Sequence, residues 1–294
     1  MSKPTLPETP EAFSLDGKPL FPTPIYPEHL ALQREGYVKA LADWEINPEK
    51  AENIIWLGRR TAYLGRFRES IAIYTLGVEK HAGDPRMLRH RGHRYLSIHL
   101  PELAARDLEK ASKLLKNWPD EPEPGGFPKR KEGVIASLHF NVWYHLGLAN
   151  YVLGDLETAA KAFKSGNKSA DIPDKLRPNS YWLYMILRQQ GKTAEAKQIL
   201  KPVQEEVETV DAEDYRFMLL KWKNEEPHDP LYQEALKKSP LAIGTLGYGV
   251  GCSHLLEGNQ KKAVTIWREI IATGNWPSFG YIAAVSHLHR LGFL

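Results

Sequence analysis

Apolar residues return along this chain at helical spacing, and the helices they predict come in pairs. Between Ala51 and Leu115 the pattern is written twice. Ile54, Leu57 and Gly58 recur as Leu88, Arg91 and Gly92, and Ser70, Tyr74 and Gly77 recur as Ala104, Leu108 and Ala111 at the same step. A fixed period of about 34 residues, with small and large apolar residues at set places, marks stacked helical hairpins.

The same grammar extends over most of the chain. Residues 28–46 carry Leu30, Leu32, Tyr37, Val38, Leu41 and Trp44 at helical spacing and read as an N-terminal capping helix. Hairpins one and two follow, with a turn at Gly65, which can take the left-handed conformation, and a helix start at Pro85. Hairpin three returns with Trp143, Leu146, Gly147, Gly154, Ala159 and Phe163. A looser fourth has Leu183, Leu187, Gly191, Ala196 and Leu200, and residues 211–238 form a degenerate fifth. That fifth pair is supported by the interval from Gly191 to Gly258, which is close to twice the period. Gly251, Gly258, Ala263 and Trp267 mark the sixth, and the last helix ends at Gly292, one period after Gly258.

Two stretches break the pattern. Residues 1–27 hold seven prolines, at 4, 7, 10, 19, 22, 24 and 27, so an extended arm is expected. It carries Phe13, Leu20, Phe21, Ile25 and Tyr26, which suits an arm that lies along the solenoid of residues 28–294 and buries them. Residues 117–132 (NWPDEPEPGGFPKRKE) read as an inserted loop, either a plain spacer or part of a binding face.

The W-x2-L-G-x2-Y, A-x3-F, P arrangement of these hairpins resembles the tetratricopeptide-repeat (TPR) superfamily over about residues 30–292. The segments IWLGRR, RHRGHRY, WYHLGLA and GYIAA resemble a narrower bacterial group with this repeat. There are departures: Arg91 stands for a leucine, and hairpins four and five lack the Leu-Gly pair. The resemblance implies an all-α, right-handed superhelical solenoid of about six to seven hairpins whose first helices line a concave groove. It also implies a binding scaffold, usually for extended peptides.

The groove positions implied by the resemblance gather arginine and tyrosine, with few carboxylates. They include Arg59 and Tyr63, Arg86, Arg89 and His93, Tyr144 and Tyr151, Tyr181 and Arg188, Tyr248, and His289 and Arg290. Guanidinium groups suit carboxylate or phosphate, and tyrosine adds contact area and a hydroxyl. The expected partner is therefore an acidic peptide or protein, or a small anionic ligand. In the competing reading these arginines cross-brace neighbouring helices through carboxylates and carbonyls. An enzyme acting on a small anionic substrate with His93, Tyr63 and Tyr144 is the alternative function, although no nucleophile elbow, phosphate loop or metal motif is present.

Composition narrows the classes further. The net charge is +3, too small to argue nucleic-acid binding. No apolar run reaches the roughly 18 residues of a membrane span, and no secretory signal core is evident. A lone cysteine, Cys252, fits a reducing compartment, so a cytoplasmic location is expected unless a signal sequence has been removed. His90, His93 and His99 are surrounded by arginines, so neither metal nor cofactor is expected.

Overall fold

The computed structural model describes residues 9–23, 25, 27–123, 136–205 and 212–294. Their regular elements are helices apart from two pairs of very short strands. They divide into two compact units, one up to Trp118 and one from Pro119.

The first unit contains α1 (Pro27–Ile46) and two hairpins, α2 (Ala51–Tyr63) with α3 (Phe67–Lys80) and α4 (Pro85–Ser97) with α5 (Pro101–Leu114). Ile54, Ile55, Tyr74 and Met87 form a buried cluster between them. Asp84 caps α4 by accepting from Arg86 N, and Pro85 fills the first turn, where an N–H has no helical partner. The expected arm is partly a small hairpin, β1 (Ala12–Phe13) with β2 (Pro19–Leu20). Glu11 fastens it to the start of α3: its carboxylate accepts from Arg68 N and its carbonyl from Arg68 Nε, both at 2.8 Å. Ala12 is buried there, whereas Phe13 is 51% exposed. Tyr26 lies outside the described residues.

The second unit holds α6 (Leu138–Leu153) with α7 (Leu156–Asn167), α8 (Pro173–Gln189) with α9 (Thr193–Leu200), and α10 (Glu213–Lys223) with α11 (Asp229–Ala235). A short α12 (Pro240–Ala242) passes through a π-helical stretch, Ile243–Gly247, into α13 (Tyr248–Leu256). That helix pairs with α14 (Gln260–Ala272), and α15 (Phe279–Arg290) follows. The strands β3 (Pro122–Glu123) and β4 (Ala136–Ser137) pair antiparallel. They enclose residues 124–135, so most of the expected inserted loop lies outside the described residues.

One packing rule recurs in both units. A Cβ on Gly58 would lie 2.5 Å from the Tyr74 ring, one on Gly92 2.7 Å from Leu108, one on Gly147 2.6 Å from Phe163 and one on Gly251 2.4 Å from Trp267. In each pair a large side chain sixteen positions on crosses the partner helix where a side chain is missing. Hairpin four solves the crossing differently. Tyr184 stands twelve positions before the buried Ala196, as Gly58 does before Ser70, and its ring stacks on Trp222 at 4.4 Å.

The turns repeat as well. Positive φ occurs at Gly65, Gly154, Gly191, Gly258 and Gly292, and also at His99 and Glu225, each of which falls one period after a turn glycine. At all seven turns the following N–H reaches back to the carbonyl five positions earlier. Arg66 to Thr61, Leu100 to Tyr95 and Glu226 to Lys221 are examples, at 3.3, 2.9 and 3.0 Å. This is the Schellman closure, which satisfies helix-end carbonyls. The expected fifth hairpin is present, its turn at Glu225. Arg91, the residue out of pattern in hairpin two, joins α4 to α5 by a paired contact with buried Asp107, at 2.6 and 2.9 Å.

Candidate functional site

In the first unit the expected residues fall on adjacent first helices, α2 and α4. Arg59 donates to the Tyr63 hydroxyl from Nε at 3.4 Å and Nη2 at 3.3 Å, with its guanidinium over the Trp56 ring. Burial pushes the Tyr63 phenol up, but the charges of Arg59, Arg94 and Arg89 outweigh it and hold the group below the ordinary tyrosine value. Burial in turn pulls Arg94 down to about 10, and the like charges of Arg89 and Arg59 add to that. Arg89 is buried, one nitrogen 2.8 Å from His90 Nδ1, and Arg94 lies 2.7 Å from His93 Nδ1. Three guanidinium groups therefore act on one phenol.

Arg86 behaves as the bracing reading describes. It pairs with Asp84 at 2.6 Å and with Glu52 of α2 at 3.0 Å. The histidines of that stretch have separate surroundings. His90 stacks on Tyr74, 5.3 Å between centroids, and His99 forms a turn.

In the second unit the first helices close on one another. Ser286 Oγ and Arg290 Nη1 of α15 both donate to the Val152 carbonyl at the end of α6. The expected stripe lies inside this closure: Tyr151, Tyr181 and Tyr248 have no exposed surface, and Tyr144 has 7%. They bond chiefly to neighbouring side chains and backbone. Tyr248 donates to the Tyr151 hydroxyl at 2.8 Å and meets His287 Nδ1 at 2.8 Å. Gln189 donates to Tyr151 at 2.8 Å, Trp182 to Tyr144 at 3.1 Å, and Tyr181 to the Thr245 carbonyl at 2.6 Å. Burial raises all four phenols well above the usual value and pushes the Cys252 thiol up to about 12. It also drives His287 down to about 3, with Arg290 adding to the effect. Of the three residues of the enzyme alternative, Tyr63 and His93 belong to the first unit and Tyr144 to the second. His289 and Arg290 are exposed.

Arg188 borders a cavity of about 610 Å³ within the second unit. Its walls include Lys197, Lys201, Lys221 and Lys223, with Glu225, Glu226 and Glu257. Arg188 donates to the Tyr184 hydroxyl at 2.8 Å, while Lys197 pairs with Glu225 and Lys221 with Glu226.

The edge of this cavity holds a group that the sequence reading passed over. His228, His254 and Glu257 each offer a ligand atom, all within 4.8 Å of one another. His228 precedes α11, while His254 and Glu257 lie three apart at the end of α13, so an H-x-x-E pattern was the available signal. Burial holds His228 below the usual imidazole value, with Glu257 opposing the shift. Burial pushes Asp229 up, but hydrogen bonds from Lys262 and His254 outweigh it and leave it below the usual carboxylate range.

The repeated crossing of a small residue by a large one, and the seven like turns, define a TPR-like helical-repeat fold. No protein-family model matches the chain. No curated protein matches it either. Among solved structures it is similar to YrrB, described as a TPR protein with an unusual peptide-binding site, at 15% identity over 85% of this chain and 97% of that one, TM-score 0.45. It is also similar to a tetratricopeptide repeat protein from Parabacteroides merdae ATCC 43184, at 15% identity over 88% and 92%, TM-score 0.48. Among the described residues no helix is long and apolar enough to cross a membrane.

Proposed function

We propose that this helical-repeat scaffold binds an anionic partner, an acidic peptide or a small anion, on the α2–α4 face of its first unit. Arg59, Tyr63 and His93 are partly exposed and form the receiving surface, and the buried Arg89 with Arg94 adds to its positive charge. The observation that carries the reading is geometric: Arg59 of α2 donates to the Tyr63 hydroxyl, while Arg89 and Arg94 of the neighbouring α4 stand beside His90 and His93, and the charges of all three favour the Tyr63 phenolate. A carboxylate or phosphate placed there gains charge-assisted hydrogen bonds, and the phenol contributes area and a donor. In the second unit's cavity, where Lys197 and Lys221 are paired with Glu225 and Glu226, Arg188, Lys201 and Lys223 offer further positive groups for the same chemistry.

Tyr63 supplies its own reporter. An anion among the arginines offsets the field that favours the phenolate, so binding raises the pH at which Tyr63 ionises. Titration of tyrosinate absorbance, with and without a poly-glutamate peptide or inorganic phosphate, follows this directly. Tyr63→Phe removes the early-titrating phase and identifies it. Arg89→Ala is expected to weaken binding by about 1.5–3 kcal/mol, the range for hydrogen bonds to charged groups. Unchanged affinity with a lowered melting temperature assigns Arg89 to bracing and ends the proposal.

A further inference from the structure

We infer that His228, His254 and Glu257 form a binding site for a single divalent transition-metal ion of the zinc class, with one coordination position open to the 610 Å³ cavity. The ligand atoms come from two hairpins. His228 Nε2 lies 3.7 Å from Glu257 Oε1, and His254 Nδ1 lies 3.6 Å from Glu257 Oε2. Ligands about 2.1 Å from a tetrahedral zinc ion are about 3.4 Å apart. Each imidazole nitrogen therefore already stands near coordination spacing from one oxygen of the carboxylate, and one ligand atom from each residue lies within 4.8 Å of the others. The two imidazole rings stand edge to face, 5.4 Å between centroids, so modest ring rotation brings the nitrogens in.

A second feature of the site points the same way. The other nitrogen of His254, Nε2, lies 2.7 Å from Asp229 Oδ1. A proton on Nε2 leaves Nδ1, the nitrogen that faces Glu257, with its lone pair free to bind. Metal-ligating histidines almost always donate their far N–H to a carboxylate or carbonyl in this manner, which fixes tautomer and ring orientation. Lys262 pairs with the other oxygen of Asp229, Oδ2, which leaves Oδ1 to the imidazole. Backbone placement supports the arrangement: His254 and Glu257 share one face of a helix end, and His228 sits where α11 begins.

Two imidazoles and a carboxylate make a three-ligand set, the pattern of sites that keep a position for water or an exogenous ligand. His228 and Glu257 also line the cavity with Arg188, Lys221 and Ser253. A metal ion there adds positive charge to a wall that already carries arginine and lysine. The open position then takes an oxygen of a carboxylate or phosphate compound.

The test is titration of chelator-treated protein with Zn²⁺ against a chromophoric chelator, and with Co²⁺ read by its d–d absorption. The full chain is expected to bind one equivalent, with a low-symmetry Co²⁺ spectrum that shifts when acetate is added. His228→Ala and Glu257→Gln are expected to abolish that equivalent while His289→Ala retains it. Asp229→Asn is expected to weaken binding by about 10–100-fold, the usual effect of removing such a supporting carboxylate. Circular dichroism and melting of each variant in chelator, matched to the parent, separate lost ligation from lost fold. Absence of stoichiometric binding, or equal binding by parent and the His228 and Glu257 variants, overturns the site. A Co²⁺ spectrum indifferent to acetate overturns the open position.

Discussion

The two units build their first helices from the same repeat and fill the inward face with opposite chemistry. In the first, Arg59, Arg89 and Arg94 crowd Tyr63, and the phenol is held below its ordinary pKa. In the second, Tyr151, Tyr248 and His287 form a buried hydrogen-bonded chain, and burial raises both phenols while it suppresses the imidazole. The same residue type thus shifts in opposite directions. The difference is whether positive charge or dry packing surrounds it. A polar chain sealed from water stabilises only if every member is partnered, and here Gln189, Tyr151, Tyr248 and His287 satisfy one another in series. A guanidinium cluster repels itself, and an anion placed among its members offsets that repulsion.

The largest expected effect concerns how the second unit closes. A Cβ at Gly280 would stand 2.2 Å from the Gly244 carbonyl oxygen and 2.5 Å from its carbon, so α15 meets the π-helical stretch backbone to backbone. Gly280→Ala should cost about 3 kcal/mol or more, because no side chain can give way. Gly58→Ala in the first unit meets a ring, the Tyr74 Cζ at 2.5 Å, and a ring can tilt. Its expected cost is smaller, about 1–2 kcal/mol. Denaturant unfolding of the two variants checks the order. Equal losses would mean that the α15 contact is no more rigid than an ordinary helix crossing.

Acid sharpens the contrast. His287 is about 3 in the fold against an ordinary 6.5, so it is neutral when folded and takes a proton on unfolding. A depressed histidine contributes its full stability above the unfolded value and loses it as pH falls. The loss runs through the window from about 6.5 toward 3 at about 1.4 kcal/mol per pH unit. Unfolding free energies measured across that window should show this slope, and His287→Gln should flatten it. A parent slope unchanged in the variant would place the acid sensitivity elsewhere.

Periodicity reached the fold further than it reached the site. The repeat step, the Gly58, Gly92, Gly147 and Gly251 crossings and the fifth hairpin could all be read, because close packing restricts those positions to few residue types. Helical spacing also says which face of Tyr151 or Tyr248 turns inward. It does not say whether the inward space is open, since that depends on α15 reaching α6, a contact between hairpins far apart in sequence, as in Ser286 to Val152. His228 and Glu257 were missed for the same reason: one ligand stands on another hairpin. The turns at His99 and Glu225 escaped because a glycine was the expected signal there.

Those two turns give the smallest and most local test. His99 has φ 63° and Glu225 φ 55°, so both adopt the left-handed conformation without being glycine. The conformation costs a residue with a Cβ roughly 1–2 kcal/mol. Glycine relieves that cost but loses about 0.5–1 kcal/mol in the unfolded chain's extra freedom. Among the described residues the Glu225 side chain pairs with Lys197, the lysine 63% and the glutamate 72% in solvent, and such pairs contribute little. Glu225→Gly is therefore expected to stabilise by about 0.5 kcal/mol. His99 is 8% exposed, so His99→Gly also removes packed surface and should be neutral or destabilising. The backbone is alike at the two turns, and the difference between the melting temperatures of the two variants isolates what the buried imidazole contributes in the first unit. If both substitutions stabilised equally, His99 would be a strained turn residue with no packing role.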